Sequence, residues 1–279
     1  MSLFCCPLCA APLKRGERAY TCPSGHSFDI AREGYVHLLP ANRKHSPQPG
    51  DDRAMSAARG RFLSKGYYAP LRDCLETLAL RHTQGHAAPA VLDAGCGEGY
   101  YTNRLAENLR AAGLDFALLG LDISKFAVAA AAKSGRELLD WVQYGVASVF
   151  ELPVKDHSCQ VVTNLFAPVC IPEYRRVLKR GGVLVFAVTS TRHLWELKSA
   201  IYDEPYENEK LDHQYEGFEL VEKHKVNTVI TLPNQQDIDN LFTMTPYYYK
   251  SSVESVERLH RLGSLQTQID VDIIVYKAL

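Results

Sequence analysis

Apolar residues in this 279-residue chain come in short runs closed by glycine or polar residues, and the period of the runs changes along the chain. From Met55 to Leu80 they recur at helical spacing in two stretches, broken near "KGYYAP". "PAVLDAGCGEGYY" is a short apolar run ending in glycines, followed by a helical pattern over about 101–112. Next come the apolar run "FALLGLD", a helix over "KFAVAAAAK" and a strand candidate in "DWVQYG". "CQVVTNLFAP", a helix around 171–178 and "GGVLVFAVT" continue the series. Strands alternating with helices at this spacing predict an α/β fold with a doubly wound, mostly parallel sheet. The tail holds "GFELVEKHKVNTVITL", two helical stretches and "QIDVDIIVYKA", and its outer apolar segments suit an antiparallel edge of that sheet. There is no internal repeat and no low-complexity tract.

The first 40 residues stand outside this alternation and contain "CPLCAAPLKRGERAYTCPSGH". Cys6-x2-Cys9, twelve residues, then Cys22-x3-His26 is spacing for one tetrahedral Zn²⁺, with Pro7 and Pro23 following the first ligand of each pair. Three thiolates and one imidazole close the shell, which marks a structural site. A disulfide does not suit a reducing compartment, and a thioredoxin-like site would need a βαβ pattern after Cys6-x2-Cys9. Cys5 adjoins Cys6, but the x2 spacing favours Cys6. A segment of roughly 35 residues buries too little apolar surface to fold alone, so metal would stabilise it. "ANRKHSPQPGDDR" reads as a linker at about 41–52. The expected organisation is a zinc-binding module over 1–40, linker and helices over 41–84, and a large α/β domain over 85–279.

Hydrophobic content of 46% and charged content of 23% are those of an ordinary globular protein. No apolar run approaches the ~18 residues that span a bilayer. "MSLFCCPLC" lacks the pattern of a signal peptide, so the expected compartment is the cytoplasm. The net charge of −1 is unevenly spread: residues 1–81 carry +5 and the remainder −6. Such a basic front suits a polyanion docking at the N-terminal end, although clustered solvated charge would look the same. Lys14, Arg15 and Arg18, between the two ligand pairs, could touch phosphates or simply be solvated.

"VLDAGCGEGYYT" has the order strand, glycine loop, helix, and Gly95, Gly97 and Gly99 let backbone approach a nucleotide-type cofactor. Asp122 ends the next strand, where it could accept from two ribose hydroxyls. A dinucleotide loop would read Gly-x-Gly-x-x-Gly. Here Asp93 precedes Gly-x-Gly-x-Gly, a pattern that resembles motif I of class I S-adenosylmethionine methyltransferases. An acid near that loop can help hold the methionine ammonium. "NLFAP", Asn164 to Pro168, lacks the Pro-Pro pair of amino-group methyltransferases, which disfavours exocyclic amines as targets. Tyr67, Phe166 and Trp195 could stack on a splayed base or pack in the core.

With "EGYVHLLP", "YYAPLRD" and "TRHLWELKSAIY" in order around the zinc spacing and the glycine loop, the chain resembles the RlmA-type 23S rRNA (guanine-N1) methyltransferases over nearly its whole length. The resemblance implies a class I methyltransferase domain, an RNA-recognising zinc module, a homodimer, and methylation of N1 of a guanine in a domain II hairpin of 23S rRNA. It favours the 745-type position over the neighbouring 748-type. It also implies that Cys6, Cys9, Cys22 and His26 hold zinc and that Tyr68, Gly97, Glu98 and His193 contact S-adenosylmethionine. No Asp, Glu or His is singled out as general base. The competing readings are a small-molecule methyltransferase with an incidental zinc ribbon, a non-catalytic RNA-binding zinc protein and, more remotely, a dehydrogenase.

Overall fold

The computed structural model describes residues 2–43, 46, 48–209 and 214–279. Three short strands, β1 (Lys14–Arg15), β2 (Ala19–Thr21) and β3 (Ser27–Asp29), form an antiparallel meander, and β4 (Val36–His37) follows. Helices α1 (Arg53–Leu63) and α2 (Ala69–Thr83) lead into β5 (Ala90–Ala94), α3 (Tyr100–Ala111), β6 (Ala117–Asp122), α4 (Lys125–Ser134) and β7 (Val142–Val146). Then come β8 (Cys159–Leu165), α5 (Ile171–Val177), β9 (Leu178–Thr189) and α6 (Trp195–Ile201). The chain finishes with β10 (Phe218–Leu232), α7 (Gln235–Thr243), α8 (Val253–Leu259) and β11 (Leu265–Ala278).

The main sheet has eight strands in the order β10-β11-β9-β8-β5-β6-β7-β4. Strands from β9 to β4 run parallel, while β11 is antiparallel to both of its neighbours. This is the doubly wound sheet with an antiparallel edge that the apolar runs predict. Side chains alternate across it: Val91 and Leu118 face one core, Leu92, Leu119 and Leu121 the other. Some helices begin where a side chain satisfies a free amide. Asp52 accepts from the Met55 amide at α1, and Ser124 accepts from the Ala127 amide at α4. Each such cap contributes about 1 kcal/mol. No described helix is long and apolar enough to cross a membrane.

The N-terminal segment is built into the body. "EGYVHLLP" supplies β4, the sheet's eighth strand, and the Leu38 amide donates to the Val146 carbonyl at 2.9 Å. Two residues are too few to show a period, so this strand carries no signal of its own. Phe4, Leu13, Tyr20 and Leu38 share one buried cluster with Leu121, Val149 and Leu152. The expected linker is also engaged. Gly50 sits against Ile123 and Ser124, and the Ser124 hydroxyl donates to the Asp51 carbonyl at 2.6 Å. Lys44, His45 and Pro47 of that linker lie outside the described residues.

Phe4 is wholly buried between the meander and the sheet, its ring edge-on to Tyr20 at 5.7 Å. Phe4→Ala is therefore expected to destabilise the whole chain by about 3–5 kcal/mol, read as a lower urea midpoint in one cooperative transition.

Candidate functional site

The glycine loop is tied to the end of the adjacent strand. The amides of Gly95 and Cys96 donate to the Leu121 carbonyl at 2.8 and 2.9 Å. One oxygen of Asp122 accepts from the Gly97 amide at 3.0 Å, the other from the Ser124 amide at 2.8 Å. Gly95 has φ +101°, and a Cβ there would lie 2.3 Å from Ala167 Cβ, so only glycine fits. Gly97, at φ +55°, has open space where its Cβ would be, as close approach of a ligand to backbone requires. Gly99 begins α3 and packs against Ala131. Asp93 lies beneath the loop, its oxygens accepting from Thr102 Oγ1 at 2.5 Å and Thr163 Oγ1 at 2.9 Å. Burial still lifts its carboxyl to about 6. It braces the loop from below and does not line the cavity above.

That cavity, about 380 Å³, opens at the carboxyl ends of β5, β6 and β8. Its volume lies within the range of small-molecule sites, about 300–1,000 Å³. Gly95, Gly97, Glu98 and Asp122 line it together with Tyr68. Phe166 and Pro168 of the "NLFAP" segment also line it, as do residues the sequence did not single out, among them Gly50 and Asp51 from the linker, Arg59 from α1, Ser148 to Phe150 after β7, and Met244. Arg59 forms an ion pair with Asp51 and donates to the Met244 carbonyl at 3.2 Å, fastening α1 across the opening. Helical spacing shows that α1 exists but not where it packs.

Glu98 is largely sunk in the wall, and its Oε2 is buried without a partner. Burial pushes its carboxyl up to about 7, with nearby Arg59 pulling the other way. An unpartnered buried carboxylate oxygen, the open face of Gly97 and the acceptor Asp122 suit a ligand with a cationic head and a ribose. S-adenosylmethionine is such a ligand.

Tyr68, Phe166 and His193 form an aromatic corner. The Asp270 amide donates to His193 Nδ1 at 3.2 Å, so the ring proton belongs on Nε2, which faces the Tyr68 hydroxyl at 3.3 Å. Burial holds the imidazole down at about 4, so it is neutral at physiological pH. With Nε2–H donating, the Tyr68 hydroxyl proton is free to point onward, and Tyr68 lines the cavity. His193 itself stands behind Tyr68 and Phe166 and is not among the lining residues. Phe166 follows β8 with φ +56°, a left-handed conformation costing a non-glycine residue about 1–3 kcal/mol.

At the N-terminal end, the ligand atoms of Cys6, Cys9, Cys22 and His26 all lie within 4.8 Å of one another. Cys9 and Cys22 sulfurs are 3.7 Å apart, and His26 Nδ1 is 3.5 Å from Cys6 Sγ and 3.3 Å from Cys22 Sγ. A tetrahedral Zn²⁺ with Zn–S near 2.3 Å and Zn–N near 2.0–2.1 Å has edges of about 3.5–3.8 Å, so these residues fit the ion. Hydrogen bonds from the Ala11 backbone and Ser24 lower the Cys9 thiol to about 6, favouring thiolate. Cys5 is outside the group, its amide bound to the Pro153 carbonyl at 2.8 Å. Arg15 donates to the Leu139 carbonyl at 2.9 Å, which ties it to the body, whereas the Lys14 side chain is exposed.

Comparison with known proteins agrees with both ends of the chain. A family profile for the RlmA N-terminal zinc ribbon matches residues 4–47, and a methyltransferase-domain profile matches residues 86–255. A Bacillus subtilis (strain 168) protein provisionally named 23S rRNA (guanine-N(1)-)-methyltransferase is 31% identical over 98% of this chain and 96% of its own. The 23S rRNA (guanine(748)-N(1))-methyltransferase of Streptomyces fradiae is 39% identical over 70% of this chain and 66% of its own.

Two measurements test the site. Replacing Cys22 with Ser should reduce bound zinc from one equivalent to none by elemental analysis. Because Cys22 belongs to the buried cluster under the sheet, it should also lower the unfolding temperature by roughly 5 °C or more. For Glu98, the folded carboxyl stays protonated to about pH 7 while the unfolded one ionises at its ordinary 4.5. Stability of the cofactor-free chain therefore falls as pH rises through that window. Glu98→Gln should stabilise it by roughly 1–3 kcal/mol at pH 8 and leave it unchanged near pH 4.5, compared by urea unfolding.

Proposed function

The chain belongs to the 23S rRNA (guanine-N1) methyltransferase family, and from that premise we propose that it methylates N1 of a guanine in a domain II hairpin, at the 745-type position rather than the 748-type. The observation that carries the reading is the pairing of an intact cofactor pocket with a zinc ribbon fused to the same sheet. The sequence resemblance favours the 745-type position; the Streptomyces fradiae relative is named for 748, which makes that neighbour the competing outcome. The same reading has the enzyme working in the cytoplasm as a homodimer.

S-adenosylmethionine supplies a methyl group already activated by its sulfonium. Asp122 would take the ribose hydroxyls, since a carboxylate with one amide on each oxygen keeps further lone pairs free. Glu98, the open Gly97 backbone and the Tyr68 hydroxyl would hold the methionine end. The chain's remaining task is to place guanine N1 in line and exclude water. Guanine N1 must also lose a proton. Of the carboxylates among the described lining residues, Asp51 pairs with Arg59, Asp122 takes two amides, and Glu98, whose buried Oε2 has no partner, is the one assigned to the methionine end. None is a free base at the mouth, so stabilising charge at O6 is the more economical route. Arg59 is the one Lys or Arg among the described lining residues and is placed to contribute to it.

Asp122→Ala is expected to weaken S-adenosylmethionine binding roughly 10- to 150-fold by calorimetry, the worth of charge-assisted hydrogen bonds, while RNA affinity holds. The activity is tested by labelled methyl transfer to unmodified 23S rRNA, with primer extension locating the block to base pairing. A stop at the 745-type guanine supports the reading, and a stop at the 748-type guanine corrects its position. Cofactor binding without any stop turns the search to small-molecule acceptors.

A further inference from the structure

Three aromatic residues were candidates for holding a splayed base, and the structure separates them. The Tyr67 hydroxyl donates to buried Asp237 at 2.8 Å, and its ring packs on Phe62 at 5.0 Å. Trp195 lies under the Arg192 guanidinium at 4.4 Å. Neither lines the cavity. Phe166 does, and 45% of its surface is exposed.

That exposure is not the result of a loose loop. Phe166 is held in the left-handed region at φ +56°, which an aromatic residue adopts only when its surroundings impose it. The Asn164 amide bridges the carbonyls of Ala94 and Pro168, each at 3.1 Å, and so fixes the turn on both sides. Behind the ring, His193 stacks at 6.1 Å with planes 26° apart, and Tyr68 meets it edge-on at 6.4 Å. His193 is in turn locked by the Asp270 amide and Tyr68. A rigid, backed and exposed ring is what a planar base needs as a partner. Its place in the sheet also suits the acceptor. Asp122 and Phe150 stand on the β6–β7 side of the glycine loop and Phe166 on the β8 side, so the ring is across the loop from the ribose acceptor.

We propose that Phe166 is the stacking platform for the guanine that receives the methyl group, a positioning residue that sets N1 against the donor. This rests on the activity proposed above. Base–aromatic stacking is worth about fivefold to 150-fold per base in affinity.

The experiment uses the full-length protein, S-adenosylmethionine and unmodified 23S rRNA, comparing wild type with Phe166→Leu, Phe166→Trp and Phe166→Gly. Leucine keeps apolar bulk but has no π face. Phe166→Leu is expected to lower kcat/KM for RNA about tenfold or more, whereas Phe166→Trp stays within about threefold of wild type. Cofactor affinity should change less than about twofold in both. Phe166→Gly relieves the left-handed backbone, so it should unfold no earlier than wild type and yet be as poor on RNA as the leucine variant. Leucine matching wild type on RNA would overturn the platform, as would a loss of cofactor affinity equal to the loss in turnover. Wild type failing to methylate rRNA while binding cofactor would instead overturn the activity itself, and the guanine platform with it.

Discussion

Asp122 accepts from the Gly97 and Ser124 amides at once, so one carboxylate at the end of β6 fixes both the glycine loop and the start of α4. The remaining features of the pocket follow from that fixed point. With the loop held, Gly97 turns its open side to the cavity and Gly95 comes within contact of Ala167 after β8. Because Ser124 also reaches the Asp51 carbonyl, the segment entering α1 is drawn over the same edge. Arg59 then closes the opposite side through Asp51 and the Met244 carbonyl. Side chains separated by nearly two hundred positions thus line one cavity because one strand end organises them.

Much of this was legible beforehand, and the reason is local. The glycine loop, the acid ending the next strand and the cysteine pairs are short-range patterns whose geometry is set by adjacent residues. Apolar runs alternating with helical periods likewise report a parallel sheet, and the two long terminal runs reported its antiparallel edge. What escaped were features decided by tertiary neighbours. Val36 and His37 are a strand only because β7 presents a free edge. Arg59 has the spacing of any exposed helical arginine, and nothing near it announces the cavity. Asp93 has the spacing of a ligand-contacting acid, yet the Thr102 and Thr163 hydroxyls occupy it underneath. Phe166 carried an ambiguous signal, since an aromatic after a strand can be core or surface. Its left-handed backbone is visible only in three dimensions.

The aromatic corner sets a neutral imidazole behind a hydroxyl that lines the cavity. His193 remains uncharged because it is buried, and the Asp270 amide selects its tautomer. That leaves Tyr68 as a donor directed by a partner that needs no proton exchange. A site organised this way holds its donor pattern across the neutral range, whereas Glu98, with its carboxyl near 7, does not.

The placement of Phe4 bears on how such a protein can change over evolutionary time. A ribbon joined by a free tether could be exchanged between catalytic bodies like a cassette. Here the ribbon fills a hollow under the sheet, and the two residues after it complete the sheet's margin. Removing it would expose apolar surface around Val149 and Leu152 and leave β7 as an open sheet edge paired only with β6. The ribbon can therefore vary freely only on its outer face, with its inner face and the body inherited together.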